Sequence, residues 1–484
     1  MPDPRGRPRP TSRRRPVSTT YLGHIFHVAG APTVADAREH LVSLPDGALV
    51  VSDTGTIEWI GAATDLPSTF AGASVVDNRG GYIVPGFVDA HVHFPQTYST
   101  DSYGGGQLLE WLDNCIFPAE SRLADPEFAE RIARDFTRRR VAAGTTAAMV
   151  FGSAFPHAQD ALFRTTRDAG LRVVSGRGIQ TVGPESASAL ITGEAEALAL
   201  VRDEIERWHA VDSGDPATAR IQVAIVPRFS LSVTRETLRA LGELYDEVRG
   251  AGVYFHSHLS ENDSAEGGEI AAVKAVYETE SYLDTYDGRF LAGSQMGGSS
   301  LLGRRSIFAH AVHCTDDELA RLAATGSSIA HCPTSQQFLG SGTMPWKRTT
   351  ASDVTVALGS DVGAGDEWLI SRVLNDAFKA HISEPDDASV SLHPAELLFT
   401  GTLAGARALD MEERFGNLDV GKDADFLLID PERWKPLAML LAGRVRSDDE
   451  QTDTDRELFA LLMGLREPAI SGVYVQGTRA VAPQ

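Results

Sequence analysis

Two histidines separated by a single residue, His91 and His93, end an apolar run that begins at Tyr82. On a β-strand, side chains at positions i and i+2 point to the same face, so both imidazoles can bind one metal ion. The alternative is that both are ordinary packing or surface histidines, which is the more frequent case for an isolated His-x-His pair. The pair therefore predicts a metal site only if further ligands occur elsewhere in the chain.

Further polar residues follow apolar, strand-like runs later in the chain. They are Arg228, His258 with Glu261, His310, His331 and Asp361. A lone histidine in a packed strand is usually a core residue, but several polar residues at successive strand ends are difficult to explain by packing alone. Three neutral imidazoles and one carboxylate form a ligand set that suits one divalent ion, Zn²⁺ or alternatively Fe²⁺: His91, His93, His258 and Asp361.

The chemistry that these residues predict is hydrolysis at an sp² carbon. A divalent ion lowers the pKa of a bound water from about 15.7 to about 7, which produces a hydroxide nucleophile at neutral pH. Asp361 can accept a proton from this water, and His310 can orient the nucleophile by a hydrogen bond. Glu261 can carry a proton to the substrate and then to the leaving group. The alternative for Glu261 is a charge on a helix surface.

Strand-like runs alternate with helical segments through the centre of the chain. The runs cover 144–150, 173–177, 221–226, 252–256 and 306–310, and the helical segments include 126–143 and 235–250. This alternation predicts an α/β protein with a closed, TIM-like (β/α)8 barrel, in which catalytic groups lie at the C-terminal ends of the strands. An open doubly wound sheet is the alternative, but no Gly-x-Gly-x-x-Gly fingerprint follows a strand.

Both ends of the chain consist of short β-branched runs, and we expect them to pair in one sheet domain. Three parts result: a disordered Arg/Pro-rich extension over 1–18, a small β-sandwich domain from 19–84 plus 415–484, and the barrel hydrolase domain over 85–414. A Gly/Ser-rich run over 292–300 predicts an inserted surface loop.

The composition excludes several classes of partner. A net charge of −22 argues against nucleic acid, which requires a basic surface. No run reaches the roughly 18 apolar residues that a membrane span needs. A paired-arginine export signal is an alternative for the N-terminal extension, but no continuous apolar segment follows it. Three scattered cysteines, Cys115, Cys314 and Cys332, favour a reducing, cytoplasmic location.

The run 85–93, together with His258, His310 and Asp361, resembles the amidohydrolase superfamily. The resemblance implies a metal-bearing (β/α)8 barrel with a small β-sandwich built from both termini. Three further stretches, 94–97, 107–120 and 227–232, resemble the guanine deaminases within this superfamily. They imply hydrolytic conversion of guanine to xanthine and ammonia in purine catabolism, by a homodimer.

The same resemblance implies that Gln96 and Arg228 recognise the substrate base. A guanidinium offers two parallel donors that suit the O6 and N7 acceptors of guanine, and a glutamine amide supplies a donor and an acceptor. Phe229 and Trp111 are expected to line the substrate pocket. For Trp111, a role as a core aromatic is an equal alternative.

Some positions depart from the guanine deaminase pattern. Gln336 and Gln337 stand where asparagine is usual, and Asp366 stands where serine or threonine is common. An additional carboxylate near the pocket would favour a more cationic or donor-rich substrate. The alternative function is therefore a related aminohydrolase that acts on another aminopurine, a pterin or an s-triazine. A non-catalytic binding protein is a second alternative, which the complete ligand set disfavours.

Overall fold

The computed structural model describes residues 18–100, 102–103, 108–264, 268–289, 296–385 and 388–483. Residues 1–17 of the predicted extension and 292–295 of the predicted loop lie outside these ranges. Within them, no helix has the length and apolar character that crossing a bilayer requires.

The chain contains strands and helices in alternation. The strands are β1 (Thr19–Val28), β2 (Leu41–Val51), β3 (Ile57–Ala62), β4 (Ser74–Pro85), β5 (Phe87–His93), β6 (Thr145–Phe151), β7 (Arg172–Gly176), β8 (Gly178–Ile179), β9 (Ile221–Pro227), β10 (Tyr254–Leu259), β11 (Ser306–His310), β12 (Ser328–His331), β13 (Thr355–Leu358), β14 (Phe426–Ile429), β15 (Ile470–Val475) and β16 (Thr478–Arg479). The helices are α1 (Leu108–Trp111), α2 (Phe117–Ser121), α3 (Pro126–Ala142), α4 (Pro156–Ala169), α5 (Glu194–Trp208), α6 (Arg235–Val248), α7 (Glu269–Tyr277), α8 (Asp316–Thr325), α9 (Pro333–Phe338), α10 (Trp346–Thr350), α11 (Ile370–Ile382), α12 (Pro394–Gly401), α13 (Leu403–Ala408), α14 (Lys435–Gly443) and α15 (Glu450–Gly464).

Eight parallel strands form the predicted barrel, in the order β13-β12-β11-β10-β9-β7-β6-β5, and β8 adds a short pairing to β9. Every residue of β5, β6 and β9 is buried, as expected for strands covered on both faces. The predicted helices over 126–143 and 235–250 correspond to α3 and α6. The fold class is therefore confirmed.

The two outer strands of the barrel sheet, β5 and β13, meet at a buried polar seam. The Asp361 N–H donates to the carbonyl of His91 at 2.9 Å. Asp89 on β5 accepts from the backbone N–H of Ser360 at 2.9 Å and from its hydroxyl at 2.6 Å. The buried guanidinium of Arg140 neutralises Asp89 at 2.7 Å. The seam therefore fixes the position of Asp361 relative to the first barrel strand.

The two ends of the chain form one seven-stranded sheet, in the order β16-β15-β14-β4-β1-β2-β3, so their predicted pairing is confirmed. The sandwich form of this domain stays a prediction. Between β14 and β15 the chain forms α14 and α15 rather than further strands. Leu458, Leu461 and Leu462 of α15 are buried, and α15 packs against the barrel helices α11 and α12.

Gly86 is the sole residue between the terminal sheet and the barrel. Its N–H donates to the carbonyl of Asp425, directly before β14, at 3.1 Å, and the next N–H, of Phe87, donates to the carbonyl of Gly144, directly before β6, at 3.2 Å. A Cβ atom at Gly86 would lie 2.1 Å from Oγ1 of Thr146. Glycine is therefore required where the chain passes from one sheet to the other.

Candidate active site

A cavity opens at the C-terminal ends of the barrel strands. Its lining includes most of the site residues that the sequence predicts: His93, Gln96, Trp111, Arg228, Phe229, His258, Glu261, His310 and Asp361. The remaining predicted residue, His91, is fully buried beside Asp361. The structure thus brings all ten predicted site residues together.

Nitrogen and oxygen atoms from the ends of three strands, β5, β10 and β13, converge at the cavity floor. Nε2 of His91 and Nε2 of His93 each lie 3.2 Å from Oδ1 of Asp361, and Nε2 of His93 lies 3.2 Å from Nε2 of His258. Nε2 of His91 has no hydrogen-bond partner in the described part of the chain. Buried lone pairs that face one another in this way fit a divalent cation, and the His₃Asp donor set suits zinc or ferrous iron.

The protonation states agree with this fit. Burial lowers the pKa of His93 and holds that of His258 well below its ordinary value, so both imidazoles are neutral. Burial alone would raise the pKa of Asp361, but the imidazoles of His91 and His93 outweigh it and hold this pKa well below the usual range. Neutral imidazoles beside an ionised carboxylate are the states in which these groups bind metal.

Hydrogen bonds to backbone carbonyls set the tautomers of these histidines. His256 donates from Nδ1 to the carbonyl of Ile307 at 2.8 Å, so its Nε2 accepts from Nδ1 of His91 at 2.7 Å. Nδ1 of His258 donates to the carbonyl of Arg228 at 2.6 Å. Both bonds leave a lone pair on Nε2, which in His91 faces Oδ1 of Asp361 and in His258 faces Nε2 of His93. Sequence reasoning missed His256, although it forms a second His-x-His pair with His258.

The backbone adopts the left-handed region at several residues that follow barrel strands. The φ angles are +47° at Ser260, +72° at His310 and +48° at Asp361. Non-glycine residues adopt this region at a cost and concentrate at functional sites. These turns direct the side chains of His310 and Asp361 into the cavity lining.

Glu261 lies in the same cavity, where Oε2 is 3.3 Å from Nε2 of His310 and Oε1 accepts from the hydroxyl of Ser341 at 3.4 Å. Burial and then the charges of Asp361 and Glu269 raise the pKa of Glu261 well above its ordinary value. The raised pKa favours the protonated form of Glu261, which is the form that a general acid uses.

A second carboxylate holds the backbone of Glu261 in place. Oε2 of Glu269 accepts from the N–H groups of Glu261 at 3.0 Å and Asn262 at 3.3 Å, and Oε1 accepts from the Tyr282 hydroxyl at 2.6 Å. Burial raises the pKa of Glu269. The sequence contains no spacing or motif that singles out this residue.

Gln96 and Arg228 share one buried partner, Glu120. Nε2 of Gln96 donates to Oε1 of Glu120 at 2.9 Å, and Nη1 of Arg228 donates to Oε2 at 2.6 Å. The guanidinium of Arg228 also lies 5.2 Å from the ring centre of Phe117 and 5.8 Å from that of Phe151. Glu120 ends the stretch 107–120 that resembles the guanine deaminases, but the sequence predicts no role for it.

Phe229 and Trp111 both contribute to the cavity wall, as the sequence predicts. Nε1 of Trp111 donates to the carbonyl of Ser102 at 2.9 Å, so the indole ring is anchored at its polar edge. Trp111 also belongs to an apolar cluster with Leu108 and Phe117, so it is both a core residue and a lining residue.

Asp366, one of the residues that depart from the guanine deaminase pattern, lies away from the cavity. Asp366 is exposed and lines a separate surface cleft with Arg139 and Arg372, so the prediction of an additional carboxylate near the pocket is wrong. The reason is a tight turn after Asp361, closed by a 2.6 Å hydrogen bond from the N–H of Gly365 to the carbonyl of Asp361.

The residues near the seventh barrel strand also lie outside the cavity lining. Gln336 is buried, and Gln337 donates to the carbonyl of Asp376 at 3.4 Å. Nε2 of His331 lies 3.1 Å from Nε2 of His381, next to Trp346. These residues therefore give no direct reason for a substrate other than guanine.

Comparison with known proteins agrees with this geometry. The amidohydrolase family matches residues 82–478. The chain is 38% identical over 453 residues to a probable guanine deaminase of Deinococcus radiodurans, which covers 92% of this chain and 95% of that protein. It is 34% identical over 439 residues to guanine deaminase of Escherichia coli, which covers 90% of this chain and 91% of that protein. The solved structure of the Escherichia coli guanine deaminase superposes with a TM-score of 0.81 at 30% identity, over 97% of this chain and 100% of that chain. The predicted membership is confirmed, and the protein belongs to the amidohydrolase family.

Proposed function

We propose that this protein is a metal-dependent hydrolytic deaminase that converts guanine to xanthine and ammonia. The observation that carries this proposal is one cavity in which the base-recognition pair Gln96 and Arg228 lies with the His/Asp cluster and Glu261. Relatives named guanine deaminase cover most of the chain, which supports the substrate.

We assign the metal to His91, His93, His258 and Asp361, and we propose zinc, with ferrous iron as the alternative. When bound, a divalent ion supplies hydroxide from water at neutral pH. The buried Nε2 of His91, which has no hydrogen-bond partner among the described residues, supports this assignment.

The other residues bind the base and move protons. Arg228 donates to O6 and N7 of guanine, Gln96 hydrogen-bonds the base edge, and Phe229 and Trp111 contact the ring. Glu261 in its protonated form donates to the ring nitrogen beside C2. Asp361 accepts a proton from the attacking water and delivers it to the amino group, which leaves as ammonia while the C2 hydroxyl returns its proton to Glu261 as the C2 carbonyl forms. His310 orients the water.

An ammonia-release assay with guanine tests the function, with other aminopurines, a pterin and an s-triazine as the comparison panel. We expect guanine to have the highest kcat/KM. Turnover of another heterocycle without guanine would contradict the substrate, and no turnover of any compound by metal-loaded protein would contradict the deaminase proposal.

We also propose a role in purine catabolism in the cytoplasm, a homodimeric assembly, and the division of the chain into 19–84 plus 415–484 and 85–414. The free state of Cys115, Cys314 and Cys332 supports a reducing location. Sedimentation velocity of the full chain tests the assembly, and a monomer at micromolar concentration would contradict it.

A further inference from the structure

Glu120 is 5% exposed and has no metal-binding or proton-transfer role in the mechanism above. Its two carboxylate oxygens nevertheless bridge the groups proposed to recognise the base, with Gln96 on one oxygen and Arg228 on the other. The bridge joins residues that are distant in sequence, since Glu120 lies at the C-terminal side of α2, Gln96 follows β5 and Arg228 follows β9.

The bridge determines which way the Gln96 amide faces. A carboxylate can only accept hydrogen bonds, so the group that Gln96 presents to Glu120 must be its NH₂. The opposite atom, Oε1, is buried and has no hydrogen-bond partner among the described residues. Gln96 is 1% exposed and lines the cavity. An unsatisfied buried acceptor of this kind is costly unless a ligand donates to it.

Arg228 has the complementary polarity. A guanidinium only donates, and one of its NH₂ groups is held by Glu120. The aromatic rings of Phe117 and Phe151 lie beside it and restrict its position further. The cavity therefore offers an acceptor at Gln96 and donors at Arg228.

We propose that Glu120 is a positioning residue that fixes this polarity and thereby selects a cyclic lactam edge, in which a ring N–H stands beside a carbonyl. Guanine has such an edge at N1 and C6. An amidine edge, with a ring nitrogen acceptor beside an amino group, has the reverse pattern and leaves both protein groups unpaired. This inference rests on the proposed function, because it deepens the recognition of the same substrate.

The variant Glu120→Gln reverses the polarity at constant size. The new amide must keep its oxygen on the donor Arg228, so its NH₂ faces Gln96, and the Gln96 amide must turn to accept from it. The NH₂ group of Gln96, rather than Oε1, then faces the cavity. The matched probes are guanine and 2,6-diaminopurine, which share the 2-amino group and differ in the lactam or amidine edge.

We expect Glu120→Gln to lower kcat/KM for guanine by at least about tenfold, chiefly through KM. The ratio of kcat/KM for guanine to kcat/KM for 2,6-diaminopurine should also fall by at least about tenfold. Hypoxanthine, which has the lactam edge but no amino group, provides a readout without turnover. Its Kd, measured by calorimetry on the metal-loaded full chain, should rise by a similar factor at unchanged metal content.

Glu120→Asp keeps an acceptor-only group, so the ratio of kcat/KM for the two substrates should stay within about threefold of the wild-type ratio even if both rates fall. The control Glu204→Gln makes the same chemical change at a buried carboxyl on α5, outside the cavity lining, and should leave ratio and Kd unchanged. Equal losses for both substrates in Glu120→Gln, or a shifted ratio in Glu120→Asp, would overturn the proposal while the function stands. Wild-type protein that neither turns over guanine nor binds hypoxanthine would overturn both.

Discussion

Glu261 is enclosed by partners that hold its backbone and leave its carboxyl group beside His310 and Asp361. We predict that Glu261→Gln lowers kcat for guanine by a factor of about 10² to 10⁴, the usual contribution of a general acid. The amide keeps the size of the side chain but cannot transfer the proton. Steady-state kinetics with metal analysis checks this, and metal content should be unchanged. Retention of the full rate would contradict the proton-transfer role.

Gly363 lies against the amide of Gln96. A Cβ atom there would be 1.8 Å from Oε1 of Gln96, and the glycine has a φ of +128°. We predict that Gly363→Ala displaces Gln96 and raises KM for guanine at least about tenfold, since a misplaced recognition group loses binding. The matched control is Gly340→Ala, which also has a positive φ and where no atom of the described residues lies within 4 Å of the added Cβ. Equal KM values for the two variants would contradict this account.

Residues that share a short motif were predictable from the sequence, and residues that depend on distant partners were not. His91, His93 and Glu261 follow from local spacing after a strand. Glu120 and His256 act through hydrogen bonds to residues 108 and 165 positions away, respectively, and no local pattern reports such a partner.

At the scale of elements, Glu204 on α5 accepts from the N–H of Arg177 after β7 at 3.1 Å. Burial raises its pKa from 4.5 to about 8. Between these values the folded state keeps a proton that the unfolded state loses, so stability falls as pH rises, by at most about 1.4 kcal/mol per pH unit.

We predict that Glu204→Gln removes this decline, because an amide does not ionise. Urea unfolding at about pH 5 and about pH 8.5 measures the effect as the difference between wild type and variant, which cancels any shared effect of metal binding. The variant should gain stability relative to wild type at the higher pH. A difference that is independent of pH would show that Glu204 does not keep its proton.

Strands and helices with strong periodicity were also predictable. The run over 306–310 coincides with β11, and the helical segments match α3 and α6 within two residues. Helices α14 and α15 were missed because 415–484 was interpreted from its strand-like ends, while the apolar residues of α15 find their partners on α11 and α12. The direction of the loop after Asp361 depends on one tight turn, which composition does not reveal.

At the scale of the whole molecule, the proposed metal ligands lie on β5, on β10 and in the loop after β13. A bound ion would therefore connect β5 with the loop after β13, the two sides of the barrel seam. We predict that a chelator lowers the melting temperature by several degrees, since an ion that binds only the folded state stabilises it, by about 4 kcal/mol at a thousandfold excess over Kd. Differential scanning calorimetry measures this shift.

The control for chelation is Asp361→Ala, in which the chelator should have little effect on the melting temperature. A wild-type protein that contains stoichiometric metal but melts at the same temperature with and without chelator would contradict the assignment of the ligands.

The passage through Gly86 also limits how this protein can be engineered. Because β4 continues into the strand that carries His91 and His93 after a single residue, a chimera that exchanges the terminal sheet would have to splice directly beneath the reactive centre. An error of one residue in the register of β5 at this junction would turn both imidazoles to the opposite face of the strand. Recombination between relatives should therefore tolerate crossover points in the helical connections far better than between β4 and β5.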